Sequence, residues 1–304
     1  VRSVIIKNFP YCGVLMDGSN TVGNTVNGCY VGIDPTGNFA ITNGLYPVQI
    51  SGGAVSNIIG GTTIAARNVI SGSFYQGLII RDAGTCFNIV SGNYIGLNAA
   101  GSAALSNRWS GVQIFGGAQS NLVGGYTAGA RNVISGNGAQ GLVISDANSS
   151  GNVIAGNYIG LNSSGSAALP NTWAGVEIFG GAQNNRIGGT IPGSGNVISG
   201  NTLQGVAIDG AGTTGNRIQG NLIGVNPAGT SAIGNGYAGV NFFGNATANY
   251  IGGSLPGAGN VISGNDSQGV LLQDAGTSGN FIQGNLIGLN ASGTIVGSRH
   301  LQDG

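Results

Sequence analysis

"RNVISGNGAQGLVIS", residues 131–145, is one of four near-copies of the same phrase. The others begin at Arg67 ("RNVISGSFYQGLIIR"), Gly195 ("GNVISGNTLQGVAID") and Gly259 ("GNVISGNDSQGVLLQ"). Asn68, Asn132, Asn196 and Asn260 step by 64 along the chain, and Gly77, Gly141, Gly205 and Gly269 keep the same step. The 304 residues read as one unit repeated about 4.75 times, and a fixed period over a whole chain marks a solenoid.

A second, looser repeat lies inside the first. Asn24, Asn57, Asn88, Asn121, Asn152, Asn185, Asn216, Asn249 and Asn280 step alternately by 33 and 31. The glycines that open the "GVxI" runs (Gly77, Gly111, Gly141, Gly175, Gly205, Gly239) step by 34 and 30. Each half-unit holds three short apolar runs, for example "GLVIS" (141–145), "NVIAG" (152–156) and "YIGLN" (158–162). Val and Ile in short runs, punctuated by Gly, Asn and Ser, form strands and turns. No segment shows a convincing helical period.

Composition agrees. Glycine takes 62 positions, without the strict triplet of collagen. Hydrophobic residues are 41% and charged residues 6%, the reverse of a disordered chain. The formal net charge is zero and no basic stripe exists, which argues against nucleic acid as a partner. No apolar run approaches the roughly 18 residues of a membrane span. Cys12, Cys29 and Cys86 follow no metal-site spacing.

Three strands per turn predict a parallel β-helix of about 9–10 coils, roughly 45 Å long at the strand spacing. By alternation, Val14, Val48, Leu78, Val112, Leu142, Val176, Val206, Val240 and Val270 form an inward aliphatic column. The nine-member Asn column sits at a corner. Stacked at the coil spacing, its amides can bond one another into a ladder. The helix is expected over 1–298 as a single domain, with 299–304 as an irregular tail. Val1 begins in mid-pattern and no cap is visible. The chain is therefore expected either to continue in a longer parent or to associate end to end.

The combined pattern "GNVISGN…QGVxI…GNxIxGNxIGxNxxGT…AGVxIFGGAQxNxIGG" resembles the repeats of bacterial right-handed parallel β-helix proteins, of the pectate-lyase-like superfamily. The resemblance covers residues 1–300. It implies an all-β, right-handed solenoid, of the kind found as segments of large secreted or surface repeat proteins. Handedness comes from this resemblance and from the right-handed crossover rule. It is weak evidence for function, because enzymes, adhesins and spacers share the superfamily.

Its catalytic patterns do not map onto this chain. There is no adjacent Asp pair, the single His (His300) lies in "SRHLQDG", and the single Lys is Lys7. The acidic residues are scattered, so no catalytic residue, metal site or cofactor is expected. Asp17, Asp82, Asp146, Asp209 and Asp274 recur once per unit and read as turn residues bonding their own backbone. Arg81 and Asp82 read as a surface pair.

The long loops 34–46, 98–110, 162–174 and 226–238 are more informative. At equivalent places they carry Leu45, Trp109, Trp173 and Tyr237, preceded by Asn43, Asn107, Asn171 and Asn235. Trp109, Trp173, Tyr237, Asn107, Asn171 and Asn235 are the candidate ligand-binding set, able to stack on and bond to a glycan. The competing reading is packing. The odd outward positions Leu15, Ile79, Val143, Ala207 and Leu271 make an aliphatic row that needs a cover. Ile41, Leu105, Leu169 and Ile233 are expected to supply it. Phe115, Phe179 and Phe243 read as corner packing. The leading expectation is a non-catalytic extracellular or cell-surface segment of structural or adhesin type, with a polysaccharide or cell-surface glycan as its partner. The alternative is a polysaccharide lyase or glycoside hydrolase on the same fold.

Overall fold

The computed structural model describes residues 1–295, so the expected tail 299–304, with His300, lies outside the described residues. The three runs of each half-unit are three strands. The first runs, from Val14–Asp17 to Val270–Leu272, form a nine-stranded sheet, mostly of four-residue strands (the long-strand sheet). The second runs, from Thr25–Val26 to Phe281–Gln283, form another nine-stranded sheet. The third runs, from Ile5–Ile6 to Leu286–Ile287, form ten two-residue strands. Every pairing between these strands is parallel and joins a strand to its counterpart one coil along, as in Leu142↔Val176 and Val176↔Val206; only isolated bridges where the long loops fold back, such as Leu97↔Ala104, are antiparallel. No α-helix is present among the described residues. Two 3-10 turns, Ile64–Ala66 and Ala128–Ala130, interrupt the loops, and among the described residues no helix is long and apolar enough to cross a membrane.

Alternation buries Val112, Leu142, Val176, Val206 and Val240 completely, as expected, with Ile114, Ile144, Ile178, Ile208 and Phe242 beside them. Each fully buried aliphatic side chain contributes about 1.5–3 kcal/mol. Parallel strands this short leave many corner backbone groups without ladder partners. Asparagine supplies those partners three times over. The expected column, from Asn24 to Asn280, is a continuous ladder in which each Nδ2 donates to the next Oδ1 at 3.0–3.3 Å. A second ladder runs from Asn68 through Asn93, Asn132, Asn157, Asn196, Asn221 and Asn260 to Asn285 at 2.8–3.0 Å. A third begins at Asn107.

The outer face of the two-residue sheet carries its own apolar layer. Val69, Tyr94, Val133, Tyr158 and Val197 pack there with Leu105, Leu169 and Ile233 of the long loops. The loops are therefore the cover of this sheet, not of the aliphatic row on the long-strand sheet. After leaving the two-residue strand, the chain turns straight back across it: Leu105 and Leu169 donate their N–H to Gly96 O and Gly160 O, at 2.8 Å each.

Candidate functional site

The third ladder decides the fate of half the candidate set. Asn107, Asn137, Asn171, Asn201, Asn235 and Asn265 are joined Nδ2 to Oδ1 at 2.8–3.0 Å. Asn107, Asn171 and Asn235 are completely buried. Each also donates to a strand carbonyl, for example Asn171 Nδ2 to Ile134 O at 3.1 Å. Both ends of each amide are committed inside the coil, so the expectation that these three contact a ligand is corrected. They fix the corner from which the next side chains project.

Those side chains are the aromatic column. Backbone bonds link its members coil to coil: Leu45 to Tyr11, Trp109 to Tyr75, Trp173 to Ala139, Leu203 to Trp173 and Tyr237 to Leu203. The column holds one residue per coil, twice what the sequence reading found. Tyr11 and Tyr75 were missed because long and short steps alternate along this corner; that alternation, already visible in the glycines, was the signal. Tyr11 is 71% exposed, Trp109 51%, Trp173 50% and Tyr75 42%. Tyr237 is half-buried.

The column borders the outer face of the long-strand sheet. The central row of that face runs Gln49, Ile79, Gln113, Val143, Glu177, Ala207, Asn241 in register. Its aliphatic members are shielded: Ile79, Val143 and Ala207 are at most 3% exposed. They alternate with longer polar side chains, which are braced from the preceding corner. Gln76 Nε2 donates to Gln113 Oε1 at 2.5 Å, and Gln140 Nε2 donates to Glu177 Oε2. Burial pushes the Glu177 carboxyl above its ordinary value, partly offset by Gln140, and the Asp209 charge adds to the rise. Burial likewise raises Asp209, with Asp274 contributing.

The other acidic residues hold backbone. Asp82, Asp146 and Asp274 have positive φ (71–78°), and each Oδ2 accepts the N–H of a glycine in the adjacent coil, Gly52, Gly116 or Gly244, at 3.1 Å. The expected turn role holds, but the bond clamps a neighbouring coil rather than the residue's own turn. Arg81 Nε and Asp82 Oδ2 lie 3.8 Å apart, both partly exposed. Phe115, Phe179 and Phe243 are half-buried at the strand ends. Among the described residues, the three cysteines are unpaired and no group of three His, Cys, Asp or Glu side chains stands close enough to hold a metal.

This geometry defines a parallel β-helix with an aromatic-edged outer face. Two solved structures are similar to it: the A-modules of the mannuronan C-5 epimerases AlgE4 and AlgE6 of Azotobacter vinelandii. The first is 14% identical with a TM-score of 0.53, over 86% of this chain and 58% of that one. The second is 14% identical with a TM-score of 0.53, over 87% and 57%. This chain thus spans less than two thirds of either module. The likeness is one of fold, the right-handed parallel β-helix that the sequence implied. No family model and no curated protein matches the sequence.

Proposed function

We propose that the chain is a non-catalytic extracellular rod that binds polysaccharide along the aromatic column. The observation that carries this reading is the half-exposure of Trp109 and Trp173 on a backbone fixed by an asparagine ladder. The middle of the aliphatic row, Ile79, Val143 and Ala207, is already shielded, and only its ends, Leu15 and Leu271, remain open, so coverage of that row does not explain two half-open indoles at mid-chain. The two rings sit two coils apart, about 10 Å, with small Ala139 between them. Large aromatic faces at a rigid spacing suit the apolar faces of sugar rings along a chain, at little conformational cost. The similar solved structures are modules of enzymes named for a polysaccharide, which supports a glycan as partner.

A titration with neutral and acidic polysaccharides, read by tryptophan fluorescence, tests this. A saturable shift is expected with at least one glycan, and calorimetry should show the binding of that glycan lost in Trp109→Ala/Trp173→Ala. No shift across the panel would sink the reading.

Glu177 and Asp209 favour a second reading, a polysaccharide-active enzyme. They are two electrostatically coupled carboxyls on the same face, both raised by burial, and a raised carboxyl is suited to general acid work. Product formation from any glycan of the panel that stops in Glu177→Gln would establish it in place of the first.

A further inference from the structure

The formal net charge of zero conceals a separation of charge across the rod. Asp17, Asp82, Asp146, Asp209 and Asp274 follow one another along the corner where the long strands end, and Glu177 stands in the central row of that sheet's outer face. Asp34 and Asp266 lie in the connections that lead from the two-residue strands back to the long strands. These are all eight acidic side chains among the described residues. The same side of the rod holds three bases: Lys7 and Arg108 in those connections, and Arg81, paired with Asp82. The other five described bases lie elsewhere. Arg186 and Arg217 are cross-strand neighbours in the second sheet, and Arg2, Arg67 and Arg131 sit at the corner between that sheet and the two-residue one. Eight acids against three bases leave the long-strand side five charges negative, and five bases without an acid leave the opposite side five positive.

The aromatic column stands within the negative side. The acids there already act on one another. Burial is the main cause of the raised Glu177 carboxyl, but the Asp209 charge adds to it, and Asp274 adds in the same way to Asp209. A further carboxylate laid on this face meets the same field. Trp173 and Glu177 are four residues apart in the chain, at most about 14 Å, well inside the ~30 Å Debye length of a solution at ~0.01 M ionic strength.

The polar groups beside the rings are mostly amides. Gln76 follows Tyr75 and Gln204 follows Leu203, both partly exposed, and Gln113, also partly exposed, lies in the central row. An amide both donates and accepts, which suits sugar hydroxyls. A chain with a carboxylate on every ring needs a cation for every ring instead. Along the column only Arg108, next to Trp109, and Lys7, ahead of Tyr11, are basic among the described residues.

We propose that the aromatic column selects by charge: its partner is an uncharged polysaccharide, and chains with a carboxylate on each ring are excluded by the acidic face beside it. The inference rests on the glycan reading of the column and adds the class of glycan. Rings stack on the apolar face of a neutral sugar with no opposing field, and amides bond its hydroxyls.

The test is calorimetric titration of the whole chain with cellohexaose, mannohexaose and the uronate hexamers of the same two backbones, which differ from them only by oxidation at C6. Each is run at about 0.01 M and about 1 M ionic strength, where the Debye length is ~30 Å and ~3 Å. A neutral hexamer is expected to bind saturably and equally at both, and to lose binding in Trp109→Ala/Trp173→Ala. Its uronate should bind roughly tenfold or more weaker at low ionic strength, with the gap narrowing at high. Glu177→Gln/Asp209→Asn should strengthen the uronate at low ionic strength by roughly threefold or more. A uronate that binds as tightly as its neutral counterpart and is lost in the double tryptophan variant overturns this inference and leaves the column reading standing. So does a uronate unaffected by removal of the two carboxylates. No binding by either class, or binding that survives the tryptophan substitutions, overturns the column reading and this inference with it.

Discussion

Gly141 stands against Asn171: a Cβ on Gly141 would lie 2.7 Å from Asn171 Nδ2. The same closeness recurs at Gly77 with Asn107 (2.5 Å), Gly111 with Asn137 (2.8 Å) and Gly175 with Asn201 (2.7 Å). The "QG" of the repeated phrase is thus the imprint of the third asparagine ladder. Gly141→Ala should destabilise by about 1–3 kcal/mol, because the intruding methyl meets a ladder amide, the Gly175 carbonyl and the fully buried Ile159 side chain, each at 2.7 Å. Urea unfolding measures it. A cost near zero would mean the ladder can step aside.

Where the ladder lapses, the glycine lapses too. Pro47 takes the glycine place and Ser73 the rung place, in the same relation along the chain as Gly111 and Asn137. Ser73 keeps the backbone half of the rung, donating N–H to Asn107 Oδ1 at 3.1 Å. Ser73→Asn alone should therefore destabilise, since the Pro47 ring fills the room. Pro47→Gly with Ser73→Asn should recover the ladder, with a coupling of roughly 1 kcal/mol or more in the double-mutant cycle. Additive effects would refute the linkage.

Asn152 sits at mid-ladder. Its Oδ1 accepts from Asn121 N and Nδ2 at 3.0 and 3.1 Å, and its Nδ2 donates to Ala118 O and Asn185 Oδ1 at 3.0 Å each. Asn152→Ala strands these groups in a dry corner, at about 1–3 kcal/mol for each one left unpaired. Asn280 ends the ladder and is only partly buried, so water can replace what Asn280→Ala removes. The central substitution should lower the denaturation midpoint much more than the terminal one. Equal effects would mean the rungs do not act as a buried network.

The repeat period, the three strands per coil, the inward column and the first ladder were all legible, because each depends on a residue type recurring at near-even intervals. The second and third ladders were hidden by uneven steps. Asn68, Asn93 and Asn132 step by 25 and 39, Asn107, Asn137 and Asn171 by 30 and 34. The long loop present in every second coil shifts the count while leaving the corner in place. Asn107, Asn171 and Asn235 were misread for that reason: seen once per repeat in a polar loop, they looked like surface groups, and their partners Asn137 and Asn201 belonged to another phrase. The cover of Ile79 and Val143 was illegible for a different reason. It depends on how far Gln and Glu side chains from neighbouring coils reach, and residue spacing does not encode that.

Trp173 and Phe242 separate the two roles of aromatic side chains in this fold. Phe242 is fully buried in the inward column, and Phe242→Ala should cost about 3–5 kcal/mol. Trp173 is half-exposed on a corner whose backbone is held by Asn171, so Trp173→Ala should cost less than about 1 kcal/mol. Thermal unfolding of the two variants decides it. A Trp173 cost near that of Phe242 would make the indole a packing element and weaken the case for a glycan column.

Glu177 gives the clearest pH dependence. Its carboxyl is raised above the ordinary 4.5 by burial. Between 4.5 and the higher folded value, the folded state holds a proton that the unfolded state has released, so stability falls as pH rises through that window. Asp209, also raised, adds in the same direction from its ordinary 3.8. Asp34 acts oppositely: Thr36 and backbone N–H groups lower its carboxyl to about 2, so its contribution is present above 3.8 and lost as pH falls towards 2. Glu177→Gln keeps the shape and recreates the pair that Gln76 makes with Gln113. At pH 7 it should stabilise by roughly 0.5–2 kcal/mol. The gain should shrink as pH is lowered and vanish below the ordinary carboxyl value, where Glu177 is protonated in both states. A gain independent of pH would assign the effect to shape rather than charge. A loss at pH 7 would mean that the Glu177 carboxylate is held by contacts stronger than the single Gln140 bond.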